Sequence, residues 1–399
     1  MEEQIQKYQK RFLSLAKKKS SKKPLSEEVQ RAFIATPRHA YVPYYYTWED
    51  KTRHEVTADN LDEHLAKLYE DRPVILKIED NKVPSTVSQP SFVLQMLDML
   101  QIEPGHKILE LGAGSGWNAA LMGSLVGAAG SVYSLEIIPE IAQMARESVH
   151  KQGLENVHII EGDAGEGYAA GAPYDRATFT AGAFDLPCHF YDQIKEDGIL
   201  LIIIKNEGGG DMLFLMRKRE DHFESFDSMP CGFVPMTGKY EMADLKPIRL
   251  SDLENWNELK NHEVSRRPFW WGGKGEIGFQ WRTTGIRSFL SIVEPMFQAF
   301  RPDSAGDLLT QGQFFGLRDE EGQSLVIAKD DALITYGNRA AGARMEEHIQ
   351  NWVALGMPSS ASFDLSIYPM GTNVVAQKNQ WVVQRAESQF LWTLTVSPN

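Results

Sequence analysis

The chain has 399 residues, 42% of them apolar, and a formal net charge of −13. That length allows two domains with a sizeable core, and the acidic balance excludes a general nucleic-acid binder, which needs a basic footprint. No apolar run approaches the roughly 18 residues of a membrane span, and the N-terminus lacks a secretory apolar core. Two cysteines, Cys188 and Cys231, are too few for a disulfide framework or a cysteine-rich zinc site. No metal, no membrane and a cytoplasmic setting are therefore expected.

Taken in order, Ile5, Tyr8, Phe12 and Leu15 predict a helix over 3–16. It runs into the cluster Lys17-Lys18-Lys19-Ser20-Ser21-Lys22-Lys23. Residues 1–24 read as a basic arm, solvated and partly disordered or held by an acidic partner. Ser26 is placed as the N-cap of a second helix that ends before Pro37. The aromatic stretch 36–46 reads as a loop on a core or as a wall beside a substrate, and 48–64 as a polar insertion. Residues 68–78 pass from loop to strand, 84–90 form a polar turn with a proline at each end, and 91–100 a helix.

From residue 107 the pattern alternates. Strands are expected at 108–111, 131–136, 157–161, 174–180 and 199–205, with helices from about 117, over 139–152 and over 187–194. That is the mark of a parallel α/β sheet. A turn at Gly208-Gly209-Gly210 leads to a hairpin partner over 212–218, and 233–237 reads as the last strand of this domain. Residues 241–280, with Trp256, Trp270, Trp271 and Gly272-Gly273, read as a linker that packs. Residues 281–399 read as a separate α+β domain. It has helices over 286–300 and 339–355, a strand over 313–318, a hairpin over 324–336 around Asp330-Asp331, and strands over 363–368 and 381–396.

The chemistry centres on Gly112-Ala113-Gly114-Ser115-Gly116, between the strand at 108–111 and a helix. Such a turn can aim backbone N–H groups at a ligand, and glycine tolerates both a close approach and positive φ. Trp117 stands where a dinucleotide fingerprint needs a small residue, and no P-loop lysine is present. Glu136 ends the second strand, where it can accept both hydroxyls of a ribose, and Asp163 ends the third, within reach of an adenine amino group. Either acid alone could cap a strand or sit in a solvated loop; in order, with the turn, they favour adenosine. With Glu110 just before the turn the site is acidic, which suits a sulfonium and an ammonium better than a pyrophosphate. S-adenosyl-L-methionine is the expected cofactor.

Over 25–240 the chain resembles the protein-L-isoaspartate O-methyltransferase family. Thr36-Pro37-Arg38-His39-Ala40-Tyr41-Val42-Pro43 is similar to its PRH-aromatic-VP segment, and Tyr69-Glu70-Asp71-Arg72-Pro73 to its Y-x-D-x-P. Thr86-Val87-Ser88-Gln89-Pro90 is similar to its TISQP loop, LELGAGSGWNAALM to its LEIGTGSGYQAA, and Phe233-Val234-Pro235-Met236-Thr237 to its closing YVPLT. The resemblance implies a Rossmann-like class I methyltransferase fold. It also implies methyl transfer to a free carboxylate of an isoaspartyl residue, giving an ester that closes to a succinimide. By the same resemblance Ser88 is the catalytic serine on the substrate side, flanked by Thr86, Val87 and Gln89. Glu110, Gly112, Gly114, Ser115, Gly116, Glu136 and Asp163 fall on cofactor positions, joined by Ala164, Thr180 and Thr237.

A carboxylate, with a reference pKa of ~4, is already ionised at neutral pH and needs no general base. Ser88 is therefore read as an orienting group or a helix cap, not a nucleophile, and no G-x-S-x-G elbow supports a hydrolase. Three departures bear on the substrate: Gly162-Asp163-Ala164 replaces the family's Gly-Asp-Gly, the approach over 78–84 is longer and charged, and the region between Trp48 and Leu68 is enlarged. The segment after 240 resembles the extensions of relatives that methylate a normal aspartate in a ribosomally made peptide. It is expected to recruit a peptide or protein substrate, to form a homodimer, or to support the fold. A dedicated aspartyl methyltransferase, a small-molecule methyltransferase and a non-catalytic binder are the alternatives to isoaspartyl methylation.

Overall fold

The computed structural model describes residues 1–19, 24–80, 82–206, 210–242, 245–269, 283–301, 314–329 and 331–395. Gly208-Gly209, Trp270-Trp271, Gly272-Gly273, Asp330 and Ser20-Ser21-Lys22-Lys23, all singled out in the sequence, lie outside them. Among the described residues no helix is long and apolar enough to cross a membrane.

A ten-stranded sheet organises the chain. Its first five strands in sequence are parallel and lie in the order Val157–Glu161, Ser131–Glu136, Lys107–Leu111, Tyr174–Ala183, Ile194–Ile204. Residues 199–204 are buried without a break, as a strand covered on both faces requires. Lys107–Leu111 has its successor on one side and Tyr174–Ala183 on the other, so the connections diverge there. They open a crevice at the carboxyl ends of the strands. Met212–Lys218 then pairs antiparallel with Ile194–Ile204, the expected hairpin.

The sheet does not stop at residue 240. Phe223–Pro230, unforeseen in the sequence, pairs with Met212–Lys218. Phe363–Pro369, Ser388–Leu394 and Gln380–Gln384 follow it as the last three strands. They cover the edge that Phe223–Pro230 would otherwise expose. One apolar cluster takes in Leu200, Phe214 and Phe223 together with Phe363, Ile367 and Trp392. The buried Asp185 fastens the junction, accepting from Glu387 N (2.7 Å) and the Ser388 hydroxyl. The boundary expected at 281 is thus crossed by a shared sheet and a shared core.

Between these strands the chain builds a second, six-stranded sheet. Its order is Ile248–Arg249, Phe297–Arg301, Phe314–Arg318, Ser324–Lys329, Ala332–Gly337, Glu263–Pro268. Both edge strands come from the expected linker. The helix expected over 286–300 is Thr284–Val293 only. Glu294 precedes Pro295 and is extended, as pre-proline residues prefer, so the chain leaves the helix and becomes the strand Phe297–Arg301.

Two further expectations change. Residues 82–87 are a strand, Lys82–Val87, at the edge of a four-stranded sheet, where Pro84 withholds no necessary donor. Only Ser88 and Gln89 separate it from the helix Pro90–Met99. Residues 233–237 are not a strand. They lie over Gly182, exchanging Gly182 N–Val234 O and Met236 N–Gly182 O bonds of 2.8 Å, a single isolated bridge centred on Pro235. The N-terminal segment is a packed helix, Glu2–Lys19. Phe12 meets Phe33 at 5.2 Å between ring centroids, and Gln9 Nε2 donates to Ile34 O at 3.1 Å. Ser26 caps the next helix as expected, accepting from Val29 N.

Candidate active site

A cavity of about 900 Å³ opens at the carboxyl edge of the parallel strands. Of the predicted residues, Thr86, Val87, Ser88, Gln89, Gly112, Gly114, Ser115, Glu136, Ala164, Thr180 and Thr237 line it. Glu110, Gly116 and Asp163 do not.

The glycine turn forms one wall. Gly112, Gly114 and Gly116 have φ of +104°, +51° and +81°. A Cβ on Gly112 would stand 2.5 Å from Thr180 Oγ1, which donates to Gly112 O at 2.6 Å. The turn does not present a row of N–H groups, contrary to the sequence-based expectation. Gly112 N and Ala113 N donate to Leu135 O, Gly114 N to Glu136 Oε2, and Gly116 N to Ala113 O, all at 2.8–2.9 Å. A phosphate nest needs such donors turned outward. Here those donors are spent inside the protein, so the turn forms no such nest.

Glu136 is 6% exposed and its second oxygen accepts from Ile138 N at 3.1 Å. Burial pushes its carboxyl up and the backbone donors pull it down. Each oxygen keeps a lone pair for a hydroxyl at the cavity. Glu110 lies behind this wall, accepting from Asn118 Nδ2 (2.7 Å) and Ser134 Oγ (2.5 Å). It meets the cavity through Asn118, which lines it. Burial pushes the Glu110 carboxyl up to about 8. Asp163 is occupied by backbone: Gly165 N donates to one oxygen (2.8 Å) and Lys239 N to the other (2.7 Å). It therefore clips the turn carrying Ala164 to the segment carrying Thr237. Gly116 serves packing, since a Cβ there would press on Ala145 and Val149.

The opposite wall is the Ser88 loop. The helix after it starts at Pro90 with Gln89 at the N-cap position and no side-chain cap bond, so Ser88 is not a cap. Gln89 Nε2 and the Ser91 hydroxyl both donate to Asp71 Oδ2, at 3.1 and 2.8 Å. From below, the fully buried Arg38 donates to Val87 O (3.2 Å), Ser88 O (3.1 Å) and Leu68 O (2.9 Å), with its guanidinium 5.4 Å from the Trp117 ring. Arg38 thus ties the Ser88 loop to Trp117, the first residue of the helix that follows the glycine turn. The sequence placed Arg38 in a motif without a role; a cation inside an aromatic stretch was the available signal.

A second feature missed in the sequence is the buried pair Lys205–Asp211, 2.5 Å apart at the cavity's edge. The signal was a lysine closing an otherwise apolar strand. Lys246 and Arg301, from segments that build the second sheet, also line the cavity.

The sequence model of the protein-L-isoaspartate(D-aspartate) O-methyltransferase family matches residues 10–241, more than half of the chain. The chain belongs to this family. A protein-L-isoaspartate O-methyltransferase of Hyperthermus butylicus is 37% identical over 223 residues, which are 54% of this chain and 83% of that protein. One of Ignicoccus hospitalis is 34% identical over 210 residues, 53% of this chain and 89% of that protein. A solved protein-L-isoaspartate O-methyltransferase structure aligns with a TM-score of 0.54 at 20% identity, covering 96% of this chain and 98% of the other. That likeness is one of fold, and at such coverage it takes in most of the segment beyond the family match.

Proposed function

We infer that this chain is an S-adenosyl-L-methionine-dependent protein-L-isoaspartate O-methyltransferase, esterifying the free carboxylate of isoaspartyl residues in proteins or peptides. The observation that carries the reading is a single cavity, in a member of this family, lined by both the 112–116 turn with Glu136 and the Ser88 loop. When bound, S-adenosylmethionine supplies a methyl group on a sulfonium, which leaves as a neutral thioether when the carboxylate oxygen takes the methyl. Glu136 would hold the ribose hydroxyls, and Ala164 and Thr237 the adenine side. Glu110, through Asn118, adds negative potential that suits the cationic end. Ser88 orients one carboxylate oxygen for in-line attack without adding charge, and Arg38 fixes the backbone that carries Ser88. Orientation of this kind can supply several of the ~7–11 kcal/mol that proximity effects allow. The ester then closes to a succinimide as the next backbone nitrogen displaces methanol.

Neither a dedicated aspartyl peptide nor a small-molecule acceptor gains a supporting observation. The test is methyl transfer from labelled cofactor to an isoaspartyl peptide and its aspartyl twin. Base-labile label on the isoaspartyl peptide alone is expected. Label on neither peptide sinks the reading, and label on the aspartyl twin alone moves it to the dedicated enzyme.

A further inference from the structure

Lys205 follows the apolar, buried run 199–204 that ends the strand Ile194–Ile204; it is 2% exposed, yet it lines the cavity. Its stem crosses Gly182, where a Cβ would meet Lys205 Cγ at 2.5 Å, two residues beyond Thr180. An ammonium has three N–H donors. One goes to Asp211 Oδ2 at 2.5 Å and one to Phe233 O at 3.0 Å, leaving one for the cavity. The Phe233 ring in turn packs at a tilt against Phe92, 5.7 Å away between centroids, four residues after Ser88. The ammonium and the Ser88 loop therefore belong to the same, acceptor end of the cavity.

A buried ion pair is costly to desolvate, and an apolar pair of similar volume would stabilise the fold as well or better. The chemistry gives this pair a use. The acceptor carboxylate must shed water to attack, and Ser88 replaces one of its lost hydrogen bonds. A bare cation would replace another but would hold the carboxylate more tightly in the ground state than in the transition state, where its charge is disappearing. Asp211 beside the ammonium offsets that charge and keeps the donor.

We propose that Lys205 is a substrate-binding residue of the acceptor site. Its third N–H donates to the carboxylate that receives the methyl group, and Asp211 holds and balances the ammonium. This rests on the function proposed above.

Steady-state methylation of an isoaspartyl peptide tests it, with cofactor affinity measured alongside. The double variant Lys205→Met/Asp211→Leu removes both charges and leaves none unpaired, so it is expected to fold and to bind cofactor as the wild type does. Its KM for the peptide should rise about ten-fold or more, the size of a lost hydrogen bond to a charged group. Asp211→Asn leaves the cation unbalanced and should lower KM and kcat together, which a structural pair would not do. If the wild type methylates no isoaspartyl peptide, the function itself is wrong. If the wild type is active and the double variant keeps its KM, or Asp211→Asn leaves KM and kcat as they were, the role of Lys205 alone is overturned.

Discussion

The two walls of the cavity are built on opposite plans. The glycine-turn wall, proposed for the cofactor, is local: the 112–116 turn, Asn118 and Glu110 behind them come from one strand–turn–helix unit, joined by Glu136 and Thr180 from the two adjacent strands. The rest of the lining, with the Ser88 loop proposed for the acceptor, is assembled from distant pieces. Ser88 follows an edge strand of a small sheet, Lys205 ends a central strand, Phe233 lies in a loop, and Lys246 and Arg301 come with the second sheet. A methyl donor shared by many reactions needs one invariant cradle. A peptide acceptor needs a surface that can be altered without touching the cradle, and separate elements provide it.

That contrast is broken most severely by removing the segment that both walls rest on indirectly. A chain ending at residue 242 loses the three strands that cover Phe223–Pro230 and the Trp392 ring that packs 5.7 Å from Phe214. It is expected to be insoluble, or to lose its cooperative thermal transition. A soluble, cooperatively melting fragment that still binds S-adenosylhomocysteine would show that the first 242 residues fold independently after all.

Next in size is Gly112→Val. The added carbons meet Thr180 Oγ1 at a position where φ is +104°. Cofactor affinity should fall by a hundred-fold or more, on the order of 3 kcal/mol, as a strained backbone and a displaced wall imply. Titration calorimetry with S-adenosylhomocysteine reads it, and wild-type affinity would mean that close approach at Gly112 is not what the turn provides.

Ser88→Ala probes the other wall. Its expected signature is a fall in kcat of roughly 10- to 100-fold, the range of one hydrogen bond to a charged group lost in the transition state, with cofactor affinity unchanged. Loss of cofactor binding instead would place Ser88 on the wrong side of the cavity.

The same contrast explains what could be read from the sequence. The cofactor wall was legible because its residues sit at strand ends in chain order, and periodicity locates strand ends. What the turn does with its N–H groups was not legible: Leu135 O and the Glu136 carboxylate take them, and no local pattern announces a partner such as Glu136, 22 residues from Gly114. Arg38 and Lys205 were missed for the same reason, since their partners are 49 and 50 residues off for Arg38 and include Phe233 O, 28 residues off, for Lys205. The parallel strands and their helices followed from hydrophobic patterning. Phe223–Pro230 did not, because beyond the buried Phe223 its residues are only partly buried or, like Phe226, exposed. The return of the last three strands to the first sheet is a matter of topology, to which pattern and propensity are blind.

The smallest expected effect concerns Glu110. Its carboxyl is raised to about 8, first by burial, with Ser134 and Asn118 opposing and Glu136 adding to the rise. A carboxyl whose folded pKa lies above its unfolded value favours the fold in its protonated form. That contribution is complete below pH ~4.5 and is lost as pH rises through about 8, so the cofactor-free protein should melt at lower temperature across that window. A cation in the cavity acts in the other direction, because it favours the ionised form. S-adenosylmethionine carries a sulfonium that S-adenosylhomocysteine lacks, so its affinity relative to that product should climb between pH 7 and pH 9. Calorimetric titration of both ligands over that range measures the ratio, and the Glu110→Gln variant, which cannot ionise, should flatten it. A ratio with the same slope in the variant would place the titrating group elsewhere and reduce Glu110 to a hydrogen-bond partner of Asn118.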